Sequence, residues 1–148
     1  LNFYKKMGKS VSKIRHIQEM NEKIEEKFLE EQKLLNTVTA GLKGATANVG
    51  ARTQNALSTK QKIRKNPKLE GLTQKVKTRS EFLNKQLEFL KKELSDYNTE
   101  LGELKKTSPD YAKEIDQVVK QIGTYYSGID NMISQGNSLQ NLSIQYLG

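Results

Sequence analysis

The stretch LEGLTQKVKTRSEFLNKQLEFLKKELSDYNTELGEL, residues 69–104, decides the fold. Its apolar side chains fall at Leu69, Leu72, Val76, Leu83, Leu87, Leu90, Leu94, Tyr97, Leu101 and Leu104. From Leu87 onward the steps alternate between three and four residues. That spacing draws one apolar stripe along an α-helix, a heptad seam to be buried against other helices. Between Val76 and Leu87 the stripe can be filled only through Arg79 or Ser80. Either route leaves two successive steps of four, which reads as one stutter.

The helix predicted here runs from about Lys68 to Lys106. On its surface, Glu88 with Lys91 and Lys92, and Glu81 with Lys85, suit a solvated face. Downstream, Thr107-Ser108-Pro109-Asp110 is a stop signal. Ser108 is placed to cap a next helix with Pro109 at its first position. That third helix is predicted over about 109–145. Its stripe is Tyr111, Ile115, Val118, Ile122, Tyr125, Ile129, Met132, Gly136 and Leu139, with Leu142 and Tyr146 trailing. The tyrosines at 111, 125, 126 and 146 keep this spacing and read as packing residues rather than a recognition face. Beyond Lys120 the outer face turns to Gln, Ser, Asn, Thr and Gly. Such a neutral face suggests one partly covered by another surface, either the rest of this chain or another subunit.

Upstream, Asn66-Pro67 closes a first helix predicted over about 9–64. The residue before a proline is pushed out of the α region, and proline then suits the first turn of the next helix. The first stripe runs Met7, Val11, Ile14, Ile17, Met20, Ile24, Phe28, Leu35, Val38 and Leu42. Residues 40–51 contain Gly41, Gly44 and Gly50, each costing about 1 kcal/mol against alanine in a helix interior. Since the heptad phase survives this zone, a continuous helix is preferred. A break there would give four helices instead of three, with residues 9–38 folded back to bury the first stripe.

Short connections make neighbouring helices antiparallel. The fold class expected is therefore all-α: an elongated antiparallel bundle of three long helices with coiled-coil-like seams, one domain over 1–148. On that plan the first helix overhangs the bundle by about 25 Å at its N-terminal end. Val11, Ile14, Ile17, Met20 and Ile24 would then form an apolar face open to a partner.

Composition narrows the function classes. Only 34 % of residues are hydrophobic, which is enough where a stripe alone is buried. No run of apolar residues is long enough for a transmembrane helix. The start, Leu1-Asn2-Phe3-Tyr4-Lys5-Lys6, lacks both an initiator Met and an apolar signal run, and reads as a processed protein or a fragment. With no cysteine, disulfides, thiolate metal sites and cysteine nucleophiles are excluded together. An Asn/Gln/Ser/Thr-rich, cysteine-free chain leans towards an exported bacterial or virion setting.

Chemistry is sparse. There is no Gly-x-Gly-x-x-Gly, and Gly44 to Gly50 lacks the spacing and lysine of a P-loop. A single histidine, His16, excludes a bundle di-metal site, which needs two Glu-x-x-His pairs. His16 with Glu19 reads as an exposed pair, and Glu22, Glu25, Glu26 and Glu30, interleaved with Lys23 and Lys27, as a solvated face. Asn141-Leu142-Ser143 is a formal glycosylation sequon. No catalytic residue, metal or cofactor is expected.

Charge is the one signal above background. The net charge is +8, and residues 60–79 carry +7 of it: Lys60, Lys62, Arg64, Lys65, Lys68, Lys75, Lys77 and Arg79 against Glu70. In a hairpin these concentrate at one tip, where phosphate of nucleic acid or anionic membrane would bind. The leading expectation is a non-enzymatic structural or assembly protein that docks helix on helix. It would be a self-associating subunit of a larger complex such as a secretion apparatus or virion. The phosphate-binding tip is the alternative.

Overall fold

The computed structural model describes residues 2–47 and 59–147. It is an all-α fold of long helices packed together. The elements are α1 (Asn2–Ala47), α2 (Thr59–Arg64), α3 (Pro67–Thr107), a 3-10 turn at Pro109–Tyr111, and α4 (Ala112–Leu147). At 1.5 Å per residue, α1, α3 and α4 are about 69, 62 and 54 Å long.

The turn between α2 and α3 is closed by the residues expected to close it. Asn66 stands at the N-cap of α3, where its side-chain oxygen accepts from the Leu69 amide at 3.4 Å and its carbonyl from the Glu70 amide at 3.0 Å. Pro67 takes the first helical position, where its missing N–H would have had no partner. The second stop behaves differently. Ser108 makes no side-chain cap bond. Its amide donates to the Leu104 carbonyl at 2.8 Å and its carbonyl accepts from the Tyr111 amide at 3.1 Å. The proline therefore opens a 3-10 turn rather than an α-helical first turn, and α4 starts three residues later than the expected Pro109.

The chain forms two compact units. Unit 1 comprises residues 1–25 and 85–133, and unit 2 residues 26–84 and 134–148. In unit 1, Lys13 of α1 lies over the Tyr97 ring of α3, and Lys6 and Lys9 share a groove with Leu101 and Leu104. Numbers rise on one helix as they fall on the other, so α1 and α3 are antiparallel. Lys91–Asp130 at 2.9 Å and Lys105–Asp116 at 2.8 Å set α3 and α4 antiparallel as well. The interior is apolar: Ile14, Leu87, Leu94, Leu101, Ile115 and Ile129 are all fully buried, each stabilising the fold by about 1.5–3 kcal/mol. At its end Phe3 stacks on Tyr111 with ring centroids 3.9 Å apart, and Tyr4 meets both rings edge-on.

In unit 2 the same helix directions hold. Gly41 meets Leu69 and Glu31 meets Arg79, while Thr39 bonds Tyr146 at 3.2 Å. Its interior includes Leu35, Val38, Ile63 and Val76, but also Glu31, Thr73, Ser80, Asn84 and Ser143.

Several expectations are corrected here. The first helix begins at Asn2, not near Lys9, and is described as far as Ala47, with Gly41 and Gly44 inside it. The remainder of the glycine zone, and the expected continuity to residue 64, lie outside the described residues. The N-terminal overhang does not form: Ile14, Ile17 and Ile24 are buried in unit 1, and Val11 and Met20 are half-buried. The reason is register. The overhang assumed that residue 64 pairs with the start of α3, but the start of α3 faces Gly41. A Cβ at Gly41 would lie 2.6 Å from Leu69 Cδ2, so the Leu69 side chain packs against bare backbone there and would have to shift for a larger residue. The stutter is also absent. Thr73, not Leu72, occupies the buried seat, and Leu69, Thr73, Val76, Ser80, Leu83 and Leu87 then step four and three in turn.

Candidate functional site

Unit 2 holds the residues with the most chemistry. Polar side chains sit at seats that a helix stripe reserves for apolar ones. Three of them are satisfied by their own helix: Thr73 donates to the Leu69 carbonyl at 2.7 Å, Ser143 to the Leu139 carbonyl at 2.9 Å, and Ser80 to the Val76 carbonyl. Such back-bonds let a small hydroxyl occupy a core seat without an orphaned donor.

Asn84 requires partners on another helix. Its Nδ2 donates to Asn137 Oδ1 and to Gln140 Oε1, both at 3.2 Å. Its Oδ1 has no hydrogen-bond partner among the described residues and presses on Gly136, where an added Cβ would lie only 2.1 Å away and 2.6 Å from Phe28 Cζ. A larger residue at that seat would have to push Asn84 and Phe28 aside, so Gly136 gives Asn84 the room to meet Asn137 and Gln140 on α4. Asn137, exposed, and Gln140, half-buried, come from the neutral stretch of the third helix beyond Lys120.

Glu31 is the buried charge. Its side chain is 4 % exposed and pairs at 3.3 Å with Arg79, which is 54 % exposed. Burial raises the Glu31 carboxyl above its ordinary value, Arg79 pulls it back by charge and hydrogen bond, and Glu30 adds to the rise. One oxygen accepts from Arg79; the other, Oε2, is buried with no hydrogen-bond partner among the described residues.

The basic cluster lies wholly in unit 2. Lys60, Arg64, Lys65, Lys68, Lys75 and Arg79 are exposed, and Lys62 and Lys77 are half-buried. Fully buried Ile63 anchors α2 beneath them. Arg79 is committed to Glu31, but among the described residues no carboxylate is ion-paired with any of the other seven.

In unit 1, Lys91 does not serve its own helix as expected. It reaches Asp130 on α4 and lies 5.2 Å from the Tyr126 ring centroid. The hydrogen bond to Asp130 holds its ammonium above the ordinary lysine value. His16 and Glu19 form an exposed pair at 3.9 Å. Ser143 of the sequon is buried and bonded to its own helix. Among the described residues no group of His, Cys, Asp or Glu is placed to hold a metal ion, and no helix is long and apolar enough to cross a membrane.

The sequence reading missed the exposed apolar side chains. In unit 1 these are Tyr4 and Phe89, and in unit 2 Leu29, Phe82 and Ile144. Phe82 and Phe89 are 59 % and 63 % exposed. Each immediately precedes a buried leucine, Leu83 or Leu90, and so stands about 100° off the core stripe. That offset is the signal that could have found them. Comparison with protein-family models, with curated proteins and with solved structures found no match.

Proposed function

We propose that this chain is a non-enzymatic structural or assembly protein that works by docking helix faces, as a self-associating subunit of a larger complex. The observation that carries the reading is the set of large apolar side chains left in solvent, Phe82, Phe89 and Leu29 foremost. Scattered single apolar residues are ordinary on a surface, but three so exposed on long helices give a second helix something to cover. Docking on this reading uses these residues rather than the buried Ile14, Ile17 and Ile24. Seams of coiled-coil type between the long helices belong to the same reading, supported by the four-and-three spacing of buried residues on α3. Sedimentation velocity at low and high salt tests it. A salt-resistant oligomer that dissociates in Phe82→Ser with Phe89→Ser is expected. A monodisperse monomer at micromolar concentration overturns it.

A second reading has its own support. Seven cations of the cluster with no carboxylate partner among the described residues, most of them exposed, favour a phosphate-binding surface on unit 2. Its contacts would be to phosphate alone, so counterion release makes binding collapse with ionic strength. Binding that persists in high salt would contradict it.

A further inference from the structure

We propose that the basic end of unit 2 docks on an anionic lipid surface, with Lys68 and Lys75 at the headgroups and Phe82 entering the acyl boundary. The inference rests on the phosphate-binding reading and narrows it to one ligand. Lys68, Lys75 and Phe82 are spaced by seven residues along α3, so they stand in one row on its outer face. All three are exposed. Lys60, Arg64 and Lys65, on α2 and the turn, extend the positive charge around the start of that row.

The acidic side chains around this row are Glu70, Glu30, Glu31 and Glu81, the last exposed and next to Phe82 on α3. Glu70 lies in the first turn of α3, and Glu30 lines a cleft with Phe82, Lys27 and Arg79. Glu31, in the same cleft, is bonded to Arg79. Residues 60–79 keep their surplus of +7.

Aromatic placement separates lipid from single-stranded nucleic acid, and the exposed Phe82 favours lipid over a duplex, whose phosphates give an apolar ring nothing to enter. Strand binding wants aromatic rings among the cations, as a platform for bases, and residues 60–81 contain none. The aromatic that exists, Phe82, stands at the end of the lysine row, largely exposed on the cleft it lines with Lys27 and Glu30. A helix face carrying lysines and an outward phenylalanine suits the interface of an anionic bilayer, where each lysine near the surface and the buried ring both add affinity.

The test uses the full chain with two probes: vesicles of phosphatidylcholine, with and without roughly a third phosphatidylserine, and duplex and single-stranded DNA. Binding to the anionic vesicles alone is expected. Lys68→Gln with Lys75→Gln should weaken it roughly thirtyfold. Phe82→Ser should weaken it about tenfold while leaving any DNA binding unchanged. All three positions are exposed, and far-UV circular dichroism verifies that the variants keep their helices. DNA binding without vesicle binding overturns the lipid inference and leaves the phosphate reading standing. No binding to either probe overturns both. Vesicle binding indifferent to Phe82→Ser also overturns the inference, because charge alone would then account for it.

Discussion

Unit 1 and unit 2 draw on the same three long helices but fill their interiors with different chemistry. In unit 1 the buried residues are Leu, Ile, Phe and Met, and among the described residues the one buried polar side chain is Asn21. Unit 2 buries Glu31, Thr73, Ser80, Asn84 and Ser143 beside its apolar residues. Apolar seats are interchangeable, so sliding one helix past another by a heptad costs an apolar interior little. Asn84 is matched to its neighbours, with Asn137 and Gln140 on its amide and Gly136 beneath its oxygen, and a slide would strip a buried amide of those partners. A polar layer of this kind specifies register at some cost in stability. The difference teaches that cohesion and alignment can be assigned to different stretches of the same helices.

The comparison can be broken first in unit 1. Ile14→Asp with Ile17→Asp places two carboxylates in an apolar interior and should cost about 5 kcal/mol or more. Loss of helical circular dichroism is the expected readout. A variant that keeps its helices and loses only self-association would return these residues to the surface.

A smaller loss is expected from Gly136→Ala in unit 2, about 1–3 kcal/mol by urea unfolding. The new methyl must displace Asn84 from Asn137 and Gln140. Gly123→Ala in unit 1, where nothing lies within 4 Å of the added carbon, should instead be neutral or gain up to about 1 kcal/mol. Equal effects at the two glycines would mean that the polar layer does not set the fit.

The buried ion pair sharpens the contrast through pH. The folded-state pKa of Glu31 is raised above its ordinary value of 4.5. Its contribution to stability is therefore full below about 4.5 and is lost as pH rises through the folded-state pKa. Glu31→Gln should gain on the native protein as pH rises from acid to neutral. A difference in urea midpoint that does not change with pH would remove the buried carboxylate from this account. Arg79→Leu, which strips Glu31 of its cation, should cost about 1–3 kcal/mol at neutral pH, less than for a fully buried pair because Arg79 is half in water.

The smallest effect is expected at Thr73→Val. The hydroxyl bonds only to its own helix, so an isosteric apolar side chain should change stability by less than about 1 kcal/mol. A larger loss would show that Thr73 belongs to the register layer with Asn84.

Much of the fold was legible because helix signals are local. The three-and-four spacing located the long helices, Asn66-Pro67 located the start of α3, and Thr107-Ser108-Pro109 located its end. The candidate site was legible only as charge. Lys60 through Arg79 stand out in any reading of the chain, whereas Asn84 looks like any surface amide until Gly136 is seen beside it.

By itself, then, the sequence determined that the chain is helical, where α3 and α4 divide, and where positive charge gathers. Only the tertiary structure decided which of two adjacent residues takes a core seat, Thr73 over Leu72 and Ser143 over Leu142. It also decided that Ile14 and Ile17 are covered rather than offered. Periodicity gives the direction in which a helix face points, but it is unchanged when one helix slides along another. What covers that face depends on register, and register is set by contacts between distant residues, Gly41 on Leu69 and Asn84 on Gly136.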